Sequence, residues 1–371
     1  MKLVYIYSEL PTYVRVEKNL TLFKELYSEV VYIGCNRSGG EWDTPVSGIE
    51  YHVYEKEIAH GGLASVKNSL SFLQYVISKL KILKPDVVIF CNEEYYLPFI
   101  LPFVPRPKYL VCEVLDSLAI RVVGPMSIFT SLFNVYCKYV RTRVDLIVEM
   151  TDERLSFYDE KKLNTVVIHN SPMNRCNDLS LSLSQSIIAK LPNKPYIFIS
   201  GSILQGISGI ETLLEAVSRL ERIEIVFAGR KSSHWVDEVI NHPKVNYLGV
   251  ISPENALLVA KNSMAMYAHY KPVNRNYVFA APNKLYDSLS IGKPLIINQE
   301  CKASDVAIKA GNAFISNYGD VDMLEAKILQ LIALTSEEKL AMHDKATSIF
   351  MKEYSWGVMQ KRWISALNFN R

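Results

Sequence analysis

Residues 282–297, Pro-Asn-Lys-Leu-Tyr-Asp-Ser-Leu-Ser-Ile-Gly-Lys-Pro-Leu-Ile-Ile, carry the densest structural signal in the chain. Pro282 suits a first helical turn, Leu285 and Leu289 stand one turn apart, Gly292 is a natural C-terminal stop, and Pro294 to Ile297 reads as a buried strand. A short helix thus feeds a strand, the repeating step of a parallel α/β sheet. Lys284 and Asp287 lie on one side of that helix, beside the loop where an open sheet binds its ligand. Spacing alone leaves two readings open, a solvated i,i+3 ion pair or a pair of ligand-facing charges.

The same alternation of short apolar runs and amphipathic stretches extends in both directions. In the first half the strand candidates are Leu3 to Tyr7, Val30 to Ile33, Ile49 to Tyr54, Val87 to Cys91, Tyr109 to Glu113, Leu146 to Glu149 and Val166 to His169, with helical patterns such as Val16 to Leu26 and Leu63 to Leu83 between them. Around residues 172–194 the text turns to Ser, Asn and Leu with Pro172, Pro192 and Pro195, and a domain boundary belongs there. The second half restarts at Tyr196 to Ser200 and continues through Ile223 to Ala228, Val245 to Leu248, Met264 to Ala268, Leu295 to Asn298 and Ala313 to Ile315. The expected organisation is a first doubly wound α/β domain over 1–172, a linker over 173–194, a second such domain over 195–354 and a closing helix within 355–371 that carries Trp356 and Trp363. The two domains are expected to face one another across a cleft.

Composition agrees. At 371 residues the chain is too long for one ordinary core. Hydrophobic content of 49% with 21% charge is globular, and a net charge of +3, with Lys and Arg spread along the chain, argues against a nucleic-acid partner. Cys35, Cys91, Cys112, Cys137, Cys176 and Cys301 form no C-x-x-C pair and sit mostly in apolar runs, as buried thiols in a reducing compartment do. No zinc site or clustered Asp pair for a metal is visible, and no apolar run reaches the ~18 residues of a membrane span, so the expected location is cytoplasmic.

Gly201-Ser202-Ile203-Leu204-Gln205-Gly206-Ile207-Ser208-Gly209 lies between a strand and a helix, where free amides and the helix dipole favour phosphate. A tight turn with close helix–sheet packing is the alternative reading of these glycines. The glycines are spaced five and three apart, unlike a dinucleotide fingerprint, and the next strand ends in Gly229-Arg230 with no acid for a ribose. A dehydrogenase is therefore disfavoured.

Pro-Asn-Lys-Leu-(aromatic)-(acid) followed by Gly-Lys-Pro resembles the donor-binding signature of family 4 retaining glycosyltransferases, in a polysaccharide-biosynthesis subgroup. Gly201 with Gly209 to Ala216, and Val245 to Val250, resemble further pieces of that signature. The resemblance implies the GT-B fold of two Rossmann-like domains, with the C-terminal helix crossing back to the first. It implies transfer of a hexose, with retention, from a nucleotide-diphosphate sugar to a glycan or lipid-linked acceptor in capsule, exopolysaccharide or O-antigen biosynthesis, without metal or other cofactor. Its donor-binding residues would be Gly201, Ser202, Ser208, Gly209, Arg230, Lys231, Gly249, Val250, Asn283, Lys284, Asp287 and Ser288.

Two departures stand out. Ser202 and Ser208 occupy the places of the family's Arg and Lys, leaving Arg230, Lys231 and Lys284 to neutralise the diphosphate. Phe279 stands where the wider family has a first acid, so Asp287 alone would hold the ribose, with Asn274 to Tyr277 nearby for the sugar. In the first domain, Arg15 after Leu10-Pro11 resembles the subgroup's arginine beside donor or acceptor, with a solvated helix start as the alternative. Carboxylates at strand ends point into a cleft; Asp116 is the first choice for orienting the acceptor and Glu113 the second, against a helix-capping Asp116. Glu93 and Glu94 also follow a strand, and His169 reads as structural. The basic aromatic stretch Ile128 to Arg143 fits either an anionic membrane face or a buried helix with a charged end. A nucleotide-sugar epimerase and a non-catalytic nucleotide- or glycan-binding partner are the competing functions.

Overall fold

The computed structural model describes the chain except residues 38, 56–61, 93–96, 116–129, 158–162, 174–181 and 369–371. Asp116, Glu93, Glu94 and Cys176 lie outside the described residues. All strands run parallel in two sheets. The first contains β1 (Lys2–Tyr7), β2 (Glu29–Asn36), β3 (Glu50–Glu55), β4 (Val87–Cys91), β5 (Tyr109–Glu113), β6 (Leu146–Glu149) and β7 (Thr165–Val167), in the order β3-β2-β1-β4-β5-β6-β7. The second contains β8 (Tyr196–Ser200), β9 (Glu224–Ala228), β10 (Val245–Gly249), β11 (Ala265–Ala268), β12 (Leu295–Asn298) and β13 (Ala313–Ser316), in the order β10-β9-β8-β11-β12-β13. Each order reverses direction once, beside β1 and beside β8. That is the doubly wound Rossmann-like pattern, which leaves its ligand crevice at the carboxyl ends of the strands flanking the reversal.

Period-two alternation gives each strand of the second sheet two apolar faces. Tyr196, Phe198, Leu295 and Ile297 enter one core, while Ile197, Ile199 and Ile296 enter the other. The helix Asn283–Ser290 lies on the first of these faces through Leu285, Tyr286 and Leu289, each no more than 1% exposed. Burying each of these side chains contributes about 1.5–3 kcal/mol. Pro282 caps this helix from extended backbone instead of standing in its first turn. Gly292 follows at φ +61, and a Cβ there would lie 2.2 Å from His343 Nδ1, so both backbone and space require glycine. His343 belongs to the helix Ser336–Ile349, which opens with a Thr335/Glu338 capping box.

The chain divides into two compact units, Met1–His169 with the chain from Gln360 on, and Asn170–Met359. The helix Trp356–Leu367 is shared between them. In the first unit Trp363 is fully buried edge-on against Phe23, ring centroids 5.2 Å apart, and Arg362 Nη1 donates to the Val167 carbonyl at 3.0 Å. Among the described residues no helix is long and apolar enough to cross a membrane.

Candidate functional site

In the second unit the reversal lies between β8 and β11. β8 ends at Ser200, and the chain turns at Gly201 with φ +86 into an exposed loop. The loop is braced from within: the Leu204 amide donates to Ser208 Oγ at 2.9 Å and the Gly206 amide to Glu211 Oε1 at 2.8 Å. It closes at Gly209, φ +60, which caps the helix Ile210–Ser218. A Cβ at Gly209 would lie 2.8 Å from Tyr267 Oη and 2.9 Å from His269 Cβ, so this glycine permits close packing under the loop. Tyr267 Oη donates to the Gly209 carbonyl at 2.6 Å, Tyr318 Oη to the Gly206 carbonyl at 2.9 Å, and the Lys271 amide to the Ile207 carbonyl at 2.9 Å. Residues of β11 and those following β11 and β13 thereby fix the loop from below and beside it.

The carboxyl ends of β9 and β10 form the adjoining wall. The Gly201 amide donates to Ala228 and the Gly229 amide to Gly249, at 2.8 and 3.0 Å. A Cβ on Gly229 would come within 2.2 Å of the Gly201 carbonyl oxygen, which makes Gly229 obligatory. Arg230 is exposed there. Lys231 is held toward Asp237 at 3.5 Å, with its ammonium 5.6 Å from the Tyr247 ring centroid. Gly249 turns at φ +82 and leaves Val250 69% exposed.

On the other side, the apolar anchoring of the Asn283–Ser290 helix leaves Lys284 and Asp287 half-buried. Lys284 Nζ lies 5.9 Å from the centroid of Tyr270, two residues past β11. Burial pushes its pKa down to about 8, with the Asp287 charge opposing the shift. Among the described residues no carboxylate forms a salt bridge with Lys284. It is therefore a desolvated cation at the reversal, with its charge available to an anion. Asn283 is exposed at the start of the same helix.

Ser288 corrects the sequence expectation. It is fully buried, donating to the Leu285 carbonyl at 2.8 Å and accepting from Asn312 Nδ2 at 3.2 Å, because its helical phase places it toward the core. The sequence reading also missed His269, Tyr270, Asn298 and Tyr318. Asn298 accepts from the Tyr270 amide at 2.8 Å and donates to its carbonyl at 3.0 Å. His269 is 2% exposed, donor or acceptor to Ser316 Oγ at 3.1 Å, and burial pushes its pKa down to about 3. Their only signal was position, as polar residues at the end of β12 or within two residues after β11 and β13.

In the first unit Arg15 and Glu113 meet at the corresponding reversal, but inside the protein. They are 4% and 0% exposed, with Arg15 Nε 2.6 Å from Glu113 Oε1. Asn19 Nδ2 donates to both Glu113 oxygens at 3.1 and 3.2 Å, and Tyr5 Oη also donates to Glu113. This corrects both catalytic expectations: Glu113 is enclosed by three donors and Arg15 is its buried counter-ion, a positioning pair instead of groups open to substrate. His169, also buried, has Nδ1 3.1 Å from the Met150 carbonyl, consistent with its structural reading.

Residues 194–333 match the family model described as "Glycosyl transferases group 1". That stretch runs from just before β8 through the helix Val321–Ala333 and holds the whole site of the second unit. Among solved structures, sucrose-phosphate synthase from Thermosynechococcus elongatus aligns over 99% of this chain and 98% of its own, with a TM-score of 0.75 and 10% identity. The Anabaena protein HepE, in complex with UDP and glucose, aligns over 99% of each chain at a TM-score of 0.73 and 16% identity. A glycosyltransferase from Rickettsia africae aligns over 99% of each chain at 0.69 and 15%. At these identities the likeness shows the fold, which is that of GT-B glycosyltransferases. No curated protein matches the sequence.

Proposed function

We propose that the chain is a retaining hexosyltransferase that takes a sugar from a nucleotide-diphosphate donor and passes it to a glycan or lipid-linked acceptor in cell-surface polysaccharide biosynthesis. The observation that carries this reading is Lys284, a half-buried ammonium over Tyr270, whose chain neighbour Lys271 holds the glycine loop at the strand-order reversal, within the stretch that matches the glycosyltransferase model. In such a transfer the bond from the anomeric carbon to the diphosphate oxygen breaks and the acceptor oxygen takes its place. Negative charge grows on the departing diphosphate, so fixed donors aimed at it supply most of the catalysis. The Gly201–Gly209 loop amides that the loop's internal bonds leave over, such as those of Ser202 and Gln205, would meet the phosphates with the Ser202 hydroxyl beside them, and Lys284 and Arg230 would neutralise them. Asp287 would accept from the ribose hydroxyls, and Gly249 and Val250 would flank the base. Lys231, already turned toward Asp237, has the smaller part. Asp116 stays the proposed acceptor-orienting acid on sequence grounds, and the donor set needs no metal.

Calorimetry with UDP-, GDP- and TDP-sugars, read together with donor hydrolysis, tests this. Binding of one donor with slow hydrolysis is expected. Binding of none would remove the enzyme reading and leave the non-catalytic partner. Contact with an anionic membrane is part of the same proposal, supported by Leu132, Val135 and Tyr139, which are 64%, 66% and 50% exposed on the basic helix Thr130–Arg141. Flotation with anionic liposomes tests it, and protein left wholly in the soluble fraction would remove it.

A further inference from the structure

At the amino ends of the second sheet, opposite the donor site, lies a groove of about 700 Å³. Pro195, Met264 and Pro294, which directly precede or begin the approach to β8, β11 and β12, form its floor, and the helices Val321–Ala333 and Ser336–Ile349 flank it. The volume is within the range of small-molecule sites. Its apolar wall includes Leu331, Ile332 and Leu340, the last two 47% and 61% exposed. Among the described residues its charged lining is of one sign: Lys293 and Lys339, with His343, and no Asp or Glu.

This charge pattern is unusual for a folded surface, where cations are normally interspersed with acids. Lys293 is half-buried and spends one of its three N–H donors on the Ser263 carbonyl at 2.8 Å. Burial, then repulsion from Lys339 and Lys261, holds it below the ordinary lysine value. The nearest acid in sequence, Glu338, is occupied in the capping box with Thr335. The His343 side chain is seated against the bare face of Gly292. An anionic head would relieve the repulsion among the lysines, and an apolar chain would cover Ile332 and Leu340.

We propose that this groove binds a single-chain amphiphile with a phosphate head, at a site separate from the nucleotide-sugar site. The concave shape favours one molecule over a bilayer surface. Dodecyl phosphate, kept below its micelle concentration and titrated into the full chain, is expected to bind at one equivalent. Lys339→Glu removes the head contact and Leu340→Asp the tail contact. Both positions are exposed, so both variants should keep the wild-type thermal melt and each should weaken binding tenfold or more. UDP affinity should stay at the wild-type value in both. Absence of binding, equal affinity for inorganic phosphate or for dodecyl maltoside, or affinity unmoved by both variants would overturn the proposal. So would loss of vesicle flotation in Lys339→Glu without any binding of the monomer, which would make the groove a membrane-facing patch. Dodecyl phosphate binding in a chain that takes no nucleotide would leave this inference standing while the proposed function fell.

Discussion

The two sheets share one topology and therefore offer equivalent positions beside the reversals at β1 and β8, yet the chain fills them oppositely. At β1 the arginine and glutamate are enclosed and paired, and Tyr5 and Asn19 complete the donors to the carboxylate. At β8 the backbone is opened by positive-φ glycines, and the lysine that faces the opening has burial against it and no salt-bridging acid among the described residues. A buried carboxylate that already accepts from three donors fixes geometry but has little capacity left for a ligand. An underpaired cation at a strand-order reversal is poorly matched to itself and well matched to a phosphate. The same fold position thus gives a brace in one unit and an open, underpaired cation in the other, the place of the proposed donor site.

Breaking the brace should have the largest effect. Glu113→Leu leaves the Arg15 charge buried at 4% exposure without its counter-ion, which costs about 3–5 kcal/mol. Urea unfolding of the full chain measures this, and adding Arg15→Met should recover most of the loss. A cost below about 1 kcal/mol would mean that the pair is solvated and that the contrast between the units is false.

In the second unit the closest analogue of the brace is the glycine packing below the loop. Gly209→Ala combines left-handed strain at φ +60 with a Cβ forced within 2.8 Å of Tyr267 Oη. Strain of about 1–2 kcal/mol and overpacking of about 1–3 kcal/mol give an expected loss of about 2–5 kcal/mol, again by urea unfolding. Unchanged stability would show that the loop relaxes freely and is no preformed cradle.

Lys284→Met should reverse the sign seen in the brace. A charge-assisted contact is worth about 1.5–3 kcal/mol, so nucleoside-diphosphate affinity should fall ten- to a hundredfold by calorimetry. Stability should hold or rise, because removing a desolvated charge relieves the folded state. The pH dependence follows from its pKa of about 8 in the folded chain. From about that pH up to the ordinary lysine value the unfolded chain keeps a proton that the folded chain has shed, so this group's contribution makes stability rise with pH. Donor affinity runs the other way and weakens above about pH 8 as the ammonium is lost. The Met variant should lack both trends, and a wild-type affinity flat across that range would remove Lys284 from the site.

The fold was legible in the sequence because parallel strands buried on both faces are short, continuous apolar runs, as at β1, β4, β8 and β12, whereas the edge strand β3 is mixed and half-buried. Lys284 was legible because its motif is local. The brace was not: Arg15 and Glu113 are separated by 98 positions, and only the sheet order brings them together. Ser288 misled because a polar residue in a motif helix looks functional, whereas its helical phase places it among Leu285, Asn312 and the core. His269 and Tyr270 carried no pattern beyond following a strand, and their meaning comes from the loop packed on them.

The smallest structural effect is expected at Gly201, and it sharpens the comparison most. Its φ of +86 makes alanine strained by about 1 kcal/mol, but a Cβ there meets no protein atom within 4 Å, so Gly201→Ala should fold with only that loss. Any larger effect must come from something outside the polypeptide. If the donor diphosphate rests on this turn, the added methyl occupies the space of a phosphate oxygen, and nucleotide affinity should drop more than tenfold while urea stability moves by about 1 kcal/mol. Affinity that follows stability alone would move the phosphates away from Gly201, toward Gly209 and Lys284. The empty space over Gly201 would then belong to the turn and not to a ligand.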